Sequence, residues 1–325
     1  EDTTNILTLG SNYTDLAGNE GISGTTLNYS VETLAPTINT FTFSDTEIKS
    51  GETASVRIVF SEAVTSFSSS ADITTPSGSI STMTSSDNIT WNGTFTPTTN
   101  TEDSSNVLSL ATTYTDLAGN SGPTGTTSNY EVDTLAPTVS SIAITSAEGI
   151  QNSYLNEGDN ISVTATFSES VIVDNSSGNP QLTLVVGSTT RTATYVSGSG
   201  SSPLVFEYTI QSGETDTDGI SINANALSLN SGTIRDAAGN SATLTHSAVS
   251  SNSSYMVDTT APTASWSSAT DNVGTITGSL TSGDTTDDTA LALSGTNESG
   301  SSITVYNSNT AVSYTHLTLP TNREV

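Results

Sequence analysis

Tyr114-Thr-Asp-Leu-Ala-Gly-Asn120, followed by Val132-Asp-Thr-Leu-Ala-Pro-Thr138, is the stretch from which the fold can be read. Both motifs occur three times, in the same order. The first appears as Tyr13-Thr-Asp-Leu-Ala-Gly-Asn19 and, loosely, as Ile234-Arg-Asp-Ala-Ala-Gly-Asn240. The second appears as Val31-Glu-Thr-Leu-Ala-Pro-Thr37 and Val257-Asp-Thr-Thr-Ala-Pro-Thr263. Asp15 and Asp116 lie 101 residues apart, and Asp116 and Asp236 lie 120 apart. A period near 100 is too long for a solenoid unit and matches one immunoglobulin-like sandwich.

Between the motifs, apolar residues alternate with period two, as strands with one buried face require. Val56, Ile58 and Phe60 share a face, as do Ile161, Val163, Ala165 and Phe167. Trp91, Gly93 and Phe95 form another such set, with Trp91 expected in the core. Leu182, Leu184 and Val186 form one more, and so do Leu204, Phe206, Tyr208 and Ile210. Turn clusters such as Pro76-Ser-Gly78 separate them. No long segment has helical periodicity. The expected fold is all-β, with tandem immunoglobulin-like β-sandwiches in an extended array.

Proline fixes φ and lacks an amide donor, so Ala-Pro-Thr suits the points where one sandwich ends and the next begins. Boundaries are expected near 33/34, 134/135 and 259/260. Residues 34–134 and 135–259 then form complete repeats, the second with longer hairpins around 171–220. Residues 1–33 read as the C-terminal part of a repeat, and 260–312 as the N-terminal part of a variant one. The start within a repeat points to a piece of a longer chain. Residues 313–325 break the local composition and resemble translated sequencing-adapter read-through, so they stand outside the fold argument.

Composition narrows the function. The 325 residues include 33 Asp+Glu, 5 Lys+Arg and no Cys, for a net charge of −28. Five scattered basic residues form no patch for phosphates, so nucleic acid and anionic membrane surfaces are poor partners. No apolar run is long enough for a transmembrane helix. Hydrophobic residues are 32% of the chain, low for one large core but enough for several small β-domains. High net charge with low hydrophobicity is also the signature of disorder. The regular alternation argues for folded domains. Without disulfides a secreted array needs another staple, and a metal ion is the obvious one.

The two motifs together resemble tandem bacterial Ig-like repeats of large surface adhesins of Gram-negative bacteria, including RTX-type and biofilm-associated adhesins. Residues 258–306 resemble a related Ig-like repeat, with Asp287-Asp288 preceded by Thr, and with Ser294-Gly-Thr-Asn-Glu-Ser-Gly-Ser301. The resemblance implies an extracellular, often calcium-bound rod that holds a binding domain away from the cell. Neighbouring repeats of the same chain are its partners. Such repeats support adhesion or biofilm formation and are not enzymes. Two other readings stay open: a sandwich that itself grips a glycan or protein, and an accessory region of a secreted hydrolase.

Calcium takes six to eight oxygen ligands, and the repeats concentrate such groups at their ends. Asp15, Asp116 and Asp236 sit in turns with Gly and Asn three and four residues on. Glu32, Asp133 and Asp258 lie on the strand leading into each junction. Asp45, Glu62, Glu157 and Glu169 are further acids able to approach the same ends. Asp271, Asp284, Asp287 and Asp288 crowd the variant repeat. Each pattern has a plainer reading. Asp-x-x-Gly-Asn is also good turn chemistry, and the acids of 271–288 also fit a solvated loop. Glu214-Thr-Asp-Thr-Asp-Gly219 opens like an EF-hand loop, but Asn225 stands where that loop needs Glu. His246 lies in Leu244-Thr-His-Ser-Ala248, which reads as an ordinary strand. Trp266 follows a junction and is a candidate to pack there or to stack on a sugar.

Overall fold

The computed structural model describes residues 2–299, 301–307 and 310–312. The expected tail at 313–325 lies outside them. The chain is all-β, with 48% strand and 1% helix. The one helix among the described residues is the short turn Ser69–Asp72.

Alternation becomes sheet where the period-two pattern is strongest. In Ala54–Phe60 the buried residues are Ala54, Val56, Ile58 and Phe60. This strand lies inside an antiparallel sheet ordered Gly78–Ile80, Thr90–Pro97, Ala54–Phe60, Ile38–Phe43. Opposite it, Tyr130–Asp133 pairs antiparallel with Glu102–Asn106 and parallel with Glu47–Lys49. The faces meet through aromatics: Tyr130 stacks on Phe43 at 4.4 Å and meets Phe95 edge-on at 5.3 Å. Trp91 lies at the margin of this core, edge-on to Phe67 at 4.8 Å.

Residues 139–258 repeat the plan with longer strands. A sheet runs in the order Val139–Glu148, Asn160–Asp174, Ser201–Thr209, Thr189–Ser197, Gln181–Val186, Leu227–Ser228. Ile161, Val163, Ala165 and Phe167 are buried, as are Leu182, Leu184, Val186, Leu204, Phe206 and Ile210. Met256–Asp258 pairs parallel with Tyr154–Leu155, the counterpart of the parallel pairing in the first sandwich. These residues form a second core, separate from the first.

Two readings of single segments change. Leu244–Ala248 is not a strand. It arches between two single bridges, Thr138↔Thr243 and Ile222↔Val249. Leu244 and His246 are half-buried between exposed neighbours, and Leu244 packs against the core, so the alternation marks a partly buried face without strand pairing. Trp266 does not pack at a junction; it is 62% exposed on the strand Ala264–Asp271.

At the chain's start the 101-residue offset is visible in space. Leu108, Leu110, Tyr114, Tyr130 and Val132 are buried. Their counterparts Leu7, Leu9, Tyr13, Tyr29 and Val31 are exposed, because among the described residues no second sheet lies against them.

Candidate functional site

The recurring motif folds into a closed loop each time. Asp116 Oδ1 accepts the N–H of Ala118 (2.8 Å) and Asn120 (2.9 Å). Its Oδ2 accepts Asn120 Nδ2 at 2.7 Å. Asp15 repeats this with Ala17 and Asn19. Asp236 repeats it with Gly239 and Asn240. The glycine between them is required, because Gly18, Gly119 and Gly239 have φ of +90°, +98° and +97°. A second glycine serves the neighbouring tyrosine. A Cβ on Gly122 would lie 2.0 Å from the Tyr114 ring, whose hydroxyl donates to Pro123 O at 2.8 Å.

These bonds set the carboxylates' acidity. Burial works to raise the Asp116 pKa, but the Asn120 side chain and three backbone N–H groups outweigh it and hold it low. Asp15 is held low mainly by the Asn19 side chain. The turn chemistry is thus real, and it engages both oxygens of each Asp.

The loop also reaches across the junction. Asn240 Nδ2 donates to the Asp133 carbonyl at 2.9 Å and to Asp133 Oδ1 at 3.3 Å. Asn240 Oδ1 accepts the Ser50 N–H at 2.9 Å. One junction earlier, Asn120 Nδ2 donates to the Glu32 carbonyl at 3.4 Å. The first motif of one repeat therefore grips the second motif of the repeat before it. The acid of that second motif caps the turn that follows. Glu32 accepts the Leu34 N–H, Asp133 that of Leu135, and Asp258 that of Thr260.

At the Asp133 junction three acids converge. Asp133, Glu169 and Asp236 each place a carboxylate oxygen within 4.8 Å of the others. Asp236 is 2% exposed, and the other two are half-buried. Burial raises the Asp133 pKa, with Asp236 and Glu102 adding to it against one N–H bond from Leu135. Burial likewise raises that of Glu169, reinforced by Asp236, Asp133 and Glu102. Two such charges repel by roughly 3 kcal/mol at an effective dielectric of about 20, before solvent screening. The nearby Lys49 is engaged elsewhere, with Glu52 at 3.1 Å. Three convergent carboxylates with a net negative field form a hard-oxygen donor set of the kind calcium prefers.

The other candidates are arranged differently. Among the described residues, no second group of three acids converges in this way. Glu32 and Asp116 share a junction through the Asn120 bond. Asp258 belongs to no acid cluster among the described residues. Asp271 accepts the Thr286 hydroxyl at 2.7 Å and the Val273 N–H at 3.0 Å. Asp288 accepts the N–H of Ala290 and of Asn272. Asp287 is exposed, beside Gly274. Asp216 of the EF-hand-like stretch accepts the N–H of Gly187 and Gly219, in a loop without flanking helices.

Asp133 and Asp236 lie in the recurring motifs, whereas Glu169 lies outside them among the further acids. Its signal was there: Phe167-Ser-Glu169 repeats Phe60-Ser-Glu62. The bridging role of Asn120 and Asn240 has no local signal in the sequence, because their partners lie 88 and 107 residues away.

Residues 32–132 match the family model described as a bacterial Ig-like domain. Residues 32–132 are therefore of bacterial Ig-like type. No curated protein and no solved structure matches the chain. Bacterial Ig-like domains are typical of surface or extracellular proteins and are generally non-catalytic. No helix among the described residues is long and apolar enough to cross a membrane. A bacterial Ig-like domain points to a repeat module of a surface protein.

Proposed function

We propose that the chain is a spacer: Ig-like repeats in the stalk of a secreted bacterial surface adhesin, stiffened by calcium at their junctions. One observation carries the reading. Asp133 from one repeat meets Glu169 and Asp236 from the next, and Asn240 bonds across the same seam. A cation there would be held by carboxylates of both repeats and would cancel the repulsion that pushes them apart. Asp133, Glu169 and Asp236 would hold it, and calcium would supply charge neutralisation and a rigid oxygen-ligated link. The loop carboxylate Asp236 is already fixed by its own turn, so little ordering is left to do.

The role is mechanical rather than catalytic. The sandwiches resist extension, the junction sets stiffness, and a net charge of −28 keeps the array soluble. Extracellular calcium modules bind at roughly 10⁻⁴–10⁻³ M. A single site at about 100-fold excess ligand adds only about 2.7 kcal/mol. Strength would therefore come from many junctions in series. Such linkage leaves the array loose where calcium is scarce and stiff outside the cell.

Small-angle scattering and thermal melts on the full chain across a calcium titration test this. The expected outcome is a longer, stiffer particle and a higher Tm. The double variant Asp133→Asn, Glu169→Gln should lose most of that response. Identical scattering and melting in calcium and in chelator would refute the calcium-stiffened junction.

A further inference from the structure

The arch at 243–249 marks a place where the two sandwiches differ. In the first sandwich nine residues separate Asn120 from Tyr130; in the second, fourteen separate the equivalent Asn240 from Tyr255. The short version packs tightly. A Cβ on Gly125 would lie 2.5 Å from Ile38 Cδ1, so this segment closes onto the edge strand. The long version stands off. Between Val139–Ile142 on the edge strand and Thr245–Val249 on the arch lies a groove of about 620 Å³.

Both walls of this groove are backbone edges. Among the described residues, Val139–Glu148 is the outermost strand of its sheet and pairs on one side only, with Asn160–Asp174. Its outer edge begins a parallel pairing with the arch, at Thr138↔Thr243 and by the Thr243 N–H bond to Pro137 O, then stops. The arch returns to the fold at Val249, which exchanges backbone bonds with Ile222. In between, the N–H groups of Thr245, Ser247 and Ala248 have no protein partner among the described residues. The arch is nevertheless fastened in place. His246 Nε2 accepts the Ala226 N–H at 2.8 Å, and the His246 N–H donates to Asn225 Oδ1 at 3.1 Å. The stand-off is thus built by an insertion and held by specific bonds.

The lining decides what fits. It offers four hydroxyl side chains, the Asn225 amide, the His246 imidazole and small apolar side chains, with no carboxylate, Lys or Arg. In a chain of net charge −28 this is a neutral strip. Anions would be repelled by the surrounding field, and no carboxylate waits for a cation. The groove holds no Phe, Tyr or Trp ring on which a sugar face could stack. What both walls share is unpaired main chain. A strand added there would continue the pairing that Thr138 and Thr243 begin and would satisfy donors on the arch.

We propose that this groove binds an extended, uncharged peptide segment by strand addition between Val139–Ile142 and Thr245–Val249. Main-chain hydrogen bonds would supply the affinity, and Val139, Ile142 and Val249 would favour small apolar side chains at alternate positions. The second sandwich would then be a recognition module as well as a spacer. This does not depend on calcium at the junction.

The test is amide chemical-shift mapping on the full chain with a capped, alternating Thr-Val pentapeptide. An N-methylated copy of that peptide and a neutral maltopentaose serve as the other arms. Strand addition predicts saturable shifts confined to residues 139–142 and 245–249, at roughly 1 mM peptide or below. It predicts their loss on N-methylation, which removes the peptide's donors. Ser247→Pro removes an N–H without a protein partner, fixes φ at that position and should weaken binding by up to about tenfold. Should that variant fold poorly, Ser141→Glu on the exposed strand edge should weaken binding through added charge. Absence of shifts, equal binding of the N-methylated peptide, or response to maltopentaose alone would overturn the proposal.

Discussion

Asn240 shows how much one side chain can carry at a seam. It is buried, and its amide bonds Asp236 in its own loop, Asp133 in the preceding repeat and the Ser50 N–H. Asn240→Ala should therefore strip four hydrogen bonds to three residues and leave Asp236 Oδ2 without its donor. A buried polar group left unpaired costs about 1–3 kcal/mol. Chemical denaturation should show a loss of that order in the second sandwich, and scattering should show a looser junction. Asn240→Asp keeps the shape but replaces the donor with a fourth carboxylate. It should destabilise more in chelator than in calcium. Wild-type behaviour by both variants would mean that the Asn bridge is incidental. The loop itself was legible from Asp, Gly and Asn at fixed offsets, since each bond it makes is local. The bridge was not, because Asn240 and Asp133 belong to different repeats and only the fold brings them together.

At the scale of strands, the period-two rule did most of the work. Adjacent residues of Ala54–Phe60 make the point. Ile58 is fully buried and Arg57 is exposed. Ile58→Ala should cost about 2–5 kcal/mol, from lost transfer energy and a cavity. Arg57→Ala should stay within about 0.5 kcal/mol. Urea melts of the two variants would check this directly, and similar losses would mean the register is wrong. The rule was half right at Leu244–Ala248, where the alternation puts Leu244 against the core but no strand pairing accompanies it. Exposed Thr and Ser alternate with half-buried Leu244 and His246 there, but the segment forms β-bridges only at its ends. The same limit applies to Trp266. Sequence position after a junction says nothing of which way a strand faces, and the ring lies exposed. Burial patterns are legible where many neighbours enforce them and illegible where an insertion departs from its sister repeat.

Across the whole molecule, two sets of acids are shifted in opposite directions, and the contrast tests the junction. Asp133 and Glu169 are raised, by burial first and by neighbouring acids next. A carboxyl with a folded pKa above its unfolded value binds more protons when folded, so falling pH favours the fold. Asp15 and Asp271 are lowered from 3.8 by hydrogen bonds, chiefly from Asn19 and Thr286. Asp116 is lowered too, its loop bonds outweighing its burial. The contribution of this second group is present above 3.8 and disappears as pH falls through the lowered values. In chelator, Tm should therefore rise as pH drops from neutral toward about pH 5, and fall again below the ordinary Asp range. Glu169→Gln should flatten the rise, because its neutral amide no longer needs the proton. Saturating calcium should invert it. The ion needs ionised ligands, so its stabilisation is greatest at neutral pH and fades as protons compete for Asp133 and Glu169. A chelated chain whose Tm ignores pH across that window would show that the three carboxylates are too well solvated to set junction stiffness. Inversion of the slope by calcium, lost in Glu169→Gln, would tie stiffness to the same oxygens by a route independent of particle shape.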